Sequence, residues 1–151
     1  GLRPGQLVPV SGPYGGFFLR EASCRPVILM AGGTGFAPIK GIVEHALAMG
    51  IDRPIHLYWG ARTRGDLYLH ELARSWGDAP GFHYVPVLSG DSHQPPWTGR
   101  HGLVHEAVVQ DFPQLESYEV YANGPPAMIA ATRRALLARG LPERFFYSDA
   151  A

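Results

Sequence analysis

Five short apolar runs, separated by longer amphipathic stretches, restrict what this chain can fold into more than any other feature. They are Val27-Ile28-Leu29-Met30, Ile55-His56-Leu57-Tyr58-Trp59, Phe82-His83-Tyr84-Val85-Pro86-Val87-Leu88, Val120-Tyr121-Ala122 and Phe145-Phe146-Tyr147. Runs of this kind suit strands covered on both faces. The stretches between them carry helical spacing. Residues 38–48 place Ile39, Ile42, Val43, Ala46 and Leu47 on one side, and Gly50 follows as a stop. Asp66 is placed to cap a helix over 67–76, and a shorter helix is expected over 101–109. The longest is expected over 125–139, with Arg133, Arg134 and Arg139 where the helix dipole favours cations and Gly140 closing it. Strand and helix alternating in this way predict an α/β fold, a doubly wound, five-stranded parallel sheet.

The residues ahead of the first run follow a different pattern. Leu7-Val8-Pro9-Val10, the turn Gly12-Pro13-Tyr14-Gly15-Gly16 and Phe17-Phe18-Leu19 read as two short strands around a tight turn. The expected boundary lies near Glu21 to Arg25, giving a short β unit over 1–24 and the main domain over 25–151. The opening Gly1-Leu2-Arg3-Pro4-Gly5 reads as a start within a longer sequence and not as a signal peptide. No internal repeat is evident, and residues 92–97, with paired prolines, read as an exposed loop.

Chemistry is expected at two glycine turns. Ala31-Gly32-Gly33-Thr34-Gly35-Phe36-Ala37-Pro38 follows the first buried run at once and opens the first helix. Its glycines let the backbone pass close to a diphosphate and aim amides and a helix N-terminus at the negative charge. The run lacks the Lys of a Walker loop and is not G-x-G-x-x-G, which leaves nucleoside triphosphate hydrolysis without support. Asn123-Gly124-Pro125-Pro126-Ala127-Met128 likewise ends the fourth run and starts the longest helix. Ligands of open α/β sheets collect at the carboxyl ends of strands, beside the point where strand order reverses.

Other chemistries find little to stand on. Lys plus Arg equals Asp plus Glu at 13 each, with the arginines scattered, so nucleic-acid binding is not expected. No apolar run approaches a membrane span, so no membrane insertion is expected. Cys24 is the only cysteine, which rules out an internal disulfide and a four-thiolate metal or iron–sulfur site, fits a cytoplasmic setting, and reads as an incidental buried thiol. There is no Gly-x-Ser-x-Gly elbow. Among the seven histidines, His101 and His105 are spaced as ligands on one helix turn could be, but no carboxylate or cysteine joins them, and no metal site is expected. Tyr58 and Trp59 read as core aromatics, the alternative being the adenine side of a groove.

Gly32-Gly33-Thr34-Gly35-Phe36-Ala37-Pro38-Ile39, then Tyr58-Trp59-Gly60-Ala61-Arg62 with Asp66-Leu67-Tyr68, then Tyr121-Ala122-Asn123-Gly124-Pro125-Pro126-Ala127-Met128 closely resemble the pyridine-nucleotide domain of the ferredoxin–NADP reductase superfamily. The chain looks most like the reductase components of bacterial oxygenases and of deoxysugar-forming systems (CDP-6-deoxyglucoseen reductase-like). The resemblance implies a Rossmann-like domain preceded by a remnant of a flavin-binding barrel, at Gly12-Pro13-Tyr14-Gly15 and Phe17-Phe18-Leu19. It implies hydride transfer from the reduced nicotinamide to FAD in the full-length protein, with electrons passed on to a 2Fe-2S domain, protein or oxygenase. The barrel's Arg-x-Tyr-Ser flavin motif is absent here, so the fragment alone should bind nucleotide and reduce nothing.

Carried onto matching positions, Gly32, Gly33, Thr34, Gly35 and Pro38 would lie along the diphosphate and nicotinamide ribose. Asn123, Gly124, Pro125 and Met128 would form the opposite wall, and Gly60, Arg62, Ser89 and Asp91 would extend toward the adenosine end. Thr34 and Asn123 would touch the reacting ring. The family usually has cysteine where this chain has Asn123, so an amide replaces a soft thiol there. Family members that choose NADPH hold the 2′-phosphate with a Ser-Arg pair; here the stretch is Ser89-Gly90-Asp91. A carboxylate accepts from a ribose 2′-hydroxyl and repels a 2′-phosphate, which favours NADH over NADPH. Arg62, Arg64 and Arg100 lie within reach of that end and act in the other direction. The relatives commonly continue past the equivalent of Tyr147-Ser148-Asp149 to an aromatic near the flavin. Two other readings compete: a dinucleotide-binding sensor without turnover, and an interaction domain without ligand.

Overall fold

The computed structural model describes residues 3–7, 17–90 and 97–150. Most of the expected strand over 7–10, the hairpin turn at 12–16, Asp91 and most of the expected loop over 92–97 lie outside the described residues, and the second expected strand, Phe17 to Leu19, is irregular backbone and not a strand.

Each apolar run forms a strand, except that Phe145 ends a 3-10 turn just ahead of the last one. The elements are β1 (Val27–Gly32), α1 (Phe36–Ala48), β2 (Ile55–Ala61), α2 (His70–Trp76), β3 (Phe82–Leu88), β4 (Arg100–His101), α3 (Val104–Asp111), β5 (Glu119–Gly124), α4 (Pro126–Leu137) and β6 (Phe146–Ala150). All six strands pair in parallel, in the order β4-β3-β2-β1-β5-β6. The sheet therefore has one strand more than the five expected. The addition is β4, two residues long, which pairs Val87 with Arg100 and Leu88 with His101. It is too short to leave an apolar signature.

Both faces of the sheet are covered, and β1 shows how. Val27, Leu29 and Ala31 join the cluster built with α1 and α2, including Phe36, Ile39, Val43 and Trp76. Ile28 and Met30 join the opposite cluster with Val104, Val108 and Leu136 from α3 and α4. The period of two along a strand, with apolar residues on both phases, is what a doubly wound sheet requires.

Helix boundaries differ from expectation in two informative places. Asp66 does not cap α2. Its carboxylate accepts the Thr63 backbone N–H at 3.3 Å and closes a 3-10 turn over Arg64–Asp66, and α2 starts only at His70. His101 lies in β4 and His105 in α3, so they do not share a helix turn. Among the described residues no group of three or more His, Cys, Asp or Glu could hold a metal, and no helix is long and apolar enough to cross a membrane. Cys24 is exposed, contrary to the buried thiol expected, because it sits in the turn-rich approach to β1 and not in the core.

Candidate dinucleotide site at the sheet's switch point

After β1 the chain builds β2, β3 and β4 outward on one side, then crosses to lay β5 and β6 on the other. Strand order thus reverses between β1 and β5, and both glycine turns stand at the carboxyl ends of those two strands. A crevice opens there because the helices that follow depart to opposite faces.

The glycines are needed for contact between the two turns. A Cβ on Gly124 would lie 2.5 Å from Met128 Sδ and 3.3 Å from Gly32 Cα. One on Gly32 would collide with Met128 Sδ and stand 3.3 Å from Pro125 Cδ. One on Gly35 would collide with the Asn123 carbonyl oxygen and come within 2.7 Å of its Oδ1. Gly33 differs: nothing among the described residues lies within 4 Å of its missing Cβ, but its φ of +55° belongs to the left-handed region that favours glycine.

Polar groups around this loop are arranged for an anion. The Gly33 carbonyl accepts the indole N–H of Trp59 at 3.1 Å, which commits that oxygen to the protein. Trp59 is itself clamped, stacked on Phe36 with centroids 3.8 Å apart and planes 6° from parallel. Among the described residues neither the 3-10 turn over Gly33–Gly35 nor α1 has a side-chain cap, which suits the orphan N–H groups of this helix start to a ligand. Those features fit a diphosphate.

The cleft at this edge has a volume of about 570 Å³, within the range of small-molecule sites. Of the residues singled out in the sequence, Gly32, Gly33, Thr34, Gly60, Arg62, Ser89, Pro125 and Met128 line it. Gly35 and Gly124 are buried supports behind the wall, and so is Asn123, whose Oδ1 has no hydrogen-bond partner among the described residues. Pro38 lies elsewhere, on the wall of a second cleft between α1 and residues 17–22. That second cleft is larger, about 740 Å³, but has neither glycine turn. Size does not decide between them; the glycine turns and the uncapped helix start at the switch point do.

Several contributors were not visible as cleft residues in the sequence. Asp66, Tyr68, Gly102, Leu103 and Val104 also line it. Tyr68 stands edge-on to Phe36 and Trp59 and is about half exposed, whereas Tyr58 and Trp59 are core residues. The loop arginines separate by partner. Arg62 is exposed in the cleft wall. The Arg64 guanidinium sits 5.7 Å from the Trp97 ring centroid, and Arg100 donates to both Asp111 carboxylate oxygens at 2.9 Å and to Gln110. Arg100 thus ties β4 to α3.

Behind the cleft, on the α3 face, Tyr58 donates to Asp111 Oδ2 at 2.6 Å. Burial, followed by that carboxylate, raises the phenol well above its usual range. Burial alone would raise the Asp111 carboxyl, but the hydrogen bonds from Tyr58 and Arg100 outweigh it and hold the group below the usual carboxylate range. His56 stacks on His83 across β2 and β3, centroids 4.8 Å apart, and burial followed by the charge of His83 lowers its pKa.

Residues 29–134 match the model of the oxidoreductase NAD-binding domain family. The chain is 44% identical over 150 residues to CDP-6-deoxy-L-threo-D-glycero-4-hexulose-3-dehydrase reductase of Yersinia pestis, covering 99% of this chain and 44% of that one. It is 36% identical over 150 residues to the reductase component of phenol 2-monooxygenase from a Pseudomonas species, covering 98% and 42%. A solved ferredoxin reductase of carbazole 1,9a-dioxygenase superposes with a TM-score of 0.78 at 29% identity, over 92% of this chain and 41% of the other. The chain spans about half the length, or less, of the curated relatives it matches.

Proposed function

Because the chain belongs to the oxidoreductase NAD-binding domain family, we propose that it is the nicotinamide-dinucleotide-binding part of a flavin-dependent reductase that draws hydride from NADH. The observation that carries this reading is the pair of glycine turns packed against each other at the β1/β5 switch point, with the uncapped start of α1 beside a cleft lined by Gly32, Gly33 and Thr34.

The nicotinamide supplies the hydride and a flavin accepts it; the protein supplies alignment and electrostatics. In this reading Gly33 and Thr34, with the start of α1, bind the diphosphate through backbone N–H groups. The Thr34 hydroxyl, exposed at the cleft wall, offers the ribose a polar contact. Pro125 and Met128 close the opposite side with apolar surface, which excludes water from the ring end. Asn123 supports this end from behind: buried under Gly35, it fixes the spacing of the two turns. Arg62 and Ser89 sit toward the other end of the cleft, and Asp66 adds a carboxylate able to accept from a ribose hydroxyl.

The deoxysugar and phenol-oxygenase relatives bear the names of reductases, and we infer the same electron-transfer class here, with an iron–sulfur or oxygenase partner as acceptor. Calorimetry with NADH, NADPH and ADP-ribose tests the binding step. Heat with NADH and ADP-ribose is expected, and no heat with any of the three would refute the reading. Tighter binding of NADPH would overturn the cofactor choice alone. Bleaching of flavin absorbance on adding NADH to the FAD-loaded full-length protein separates a reductase from a sensor, which would bind without bleaching.

A further inference from the structure

The approach to β1 is held by a buried ionic node that the nucleotide site does not use. Arg53, 7% exposed, precedes β2, and each of its three guanidinium nitrogens donates to one partner. Nε donates to the Arg25 carbonyl at 2.7 Å, one terminal nitrogen to the Arg20 carbonyl at 2.9 Å, and the other to Glu119 Oε2 at 2.8 Å. Glu119, 1% exposed, also accepts from the Tyr121 hydroxyl at 2.7 Å. That hydroxyl in turn accepts the Arg20 backbone N–H at 2.9 Å. Both backbone groups of Arg20 are therefore captured by side chains from β5 and the start of β2. Leu19 is buried in the core beside them, and Phe17 rests edge-on against Tyr121.

A buried Arg–Glu pair is a costly way to gain stability, since desolvation consumes much of the attraction. Its geometry here does something an apolar pair would not: it fixes the direction and register of a non-helical, non-strand segment by hydrogen bonds to specific carbonyls. Glu119, Tyr121 and Asn123 alternate along β5 and so share one face. From Glu119 to Asn123 is about 13 Å at the usual rise of a strand. The node thus sits at the amino edge of the sheet, away from the cleft, on the strand that ends at the cleft.

We propose that Arg53, with Glu119 and Tyr121, is a positioning residue. It sets the pose of the segment from Phe17 to Arg25, and through it the approach of the flavin-binding part of the full-length protein to the nucleotide cleft. This rests on the reductase reading above. Hydride transfer is sensitive to misplacement of the partners by an ångström, whereas nucleotide affinity depends on the cleft alone.

The test uses full-length, FAD-loaded protein as wild type, Arg53→Met, Arg53→Lys and Tyr121→Phe, with stopped-flow flavin reduction at saturating NADH and calorimetric NADH affinity. Arg53→Met is expected to slow the limiting reduction rate on the order of 10- to 100-fold with unchanged NADH affinity. Arg53→Lys should recover part of that rate through its Glu119 contact, and Tyr121→Phe, which remains foldable if Arg53→Met is not, should show a smaller loss of the same kind. Wild-type protein that bleaches, beside Arg53→Met and Tyr121→Phe that bleach equally fast, would overturn the positioning role alone. A loss of affinity matching the loss of rate would also overturn it. Wild-type protein that never bleaches would overturn the reductase reading and this inference with it.

Discussion

Replacing Gly35 with Ala sets two known effects against each other, and the structure decides the sign. Gly35 has φ −62° and ψ −4°, a conformation alanine adopts freely. Reduced unfolded-state entropy would then make the substitution stabilising by about 0.4–1 kcal/mol. The new Cβ, however, would lie 2.7 Å from both the carbonyl carbon and Oδ1 of Asn123, and closer still to its carbonyl oxygen. Comfortable separations are about 3.5 Å or more, so the loop or β5 must move by nearly an ångström. Asn123 lies in the buried strand between β1 and β6, so little can give. Overpacking of this kind costs roughly 1–3 kcal/mol and outweighs the entropic gain. For a chain of this length that lowers the melting temperature by roughly 2–12 °C. Gly41→Ala is the control: it lies within α1 with nothing among the described residues within 4 Å of the new Cβ, and should stabilise by about 0.5–1 kcal/mol. Both are read by thermal and urea denaturation, with ADP-ribose calorimetry showing the larger affinity loss in Gly35→Ala. Gly35→Ala as stable as the parent, with full affinity, would refute the claim that the two turns are clamped together.

Other outcomes follow from the α3 face and the half-buried histidines. Tyr58→Phe should destabilise by about 1–2 kcal/mol by removing the bond to Asp111, lowering the urea midpoint at unchanged slope; an unchanged midpoint would show the pair to be neutral. Burial lowers the pKa of both His56 and His70, so in the folded chain they resist a proton that the unfolded chain takes up near about pH 6.5. Stability should be whole above that pH and fall as pH drops through it, and the His56→Gln, His70→Gln double variant should flatten this limb. The lowered Asp111 carboxyl acts in a separate, more acidic window: its contribution is present above about pH 3.9 and is lost as the pH falls through the folded value. A pH 5–7 limb unaltered by the double variant would contradict the assignment to the histidines.

The strands and the glycine turns were legible because their causes are local. Runs such as Val27 to Met30 must be covered on both faces, and Gly33 and Gly35 have backbone needs visible in the residue type. β4 was not legible, since a two-residue strand is set by its place beside Val87 and Leu88 and by Arg100's hold on α3. Asp66 was misread as the cap of α2 because a carboxylate three residues after Thr63 serves a 3-10 turn as well as it serves a helix start. Leu103 and Val104 enter the cleft only because α3 begins at Val104, later than its sequence pattern suggested. The Arg53–Glu119 pair spans 66 positions, and nothing in either residue's neighbourhood announces the other.

On the proposed function, the nicotinamide dinucleotide occupies the switch-point cleft and not the larger one beside residues 17–22. An amide-resolved magnetic resonance titration with NADH tests it most directly. The account predicts saturable shifts at the backbone amides of Gly33, Thr34, Arg62 and Ser89, with the amides of Gly41 and Glu21 unmoved. Shifts confined to Phe18, Glu21, Gly41 and His45, with the glycine turn silent, would contradict it.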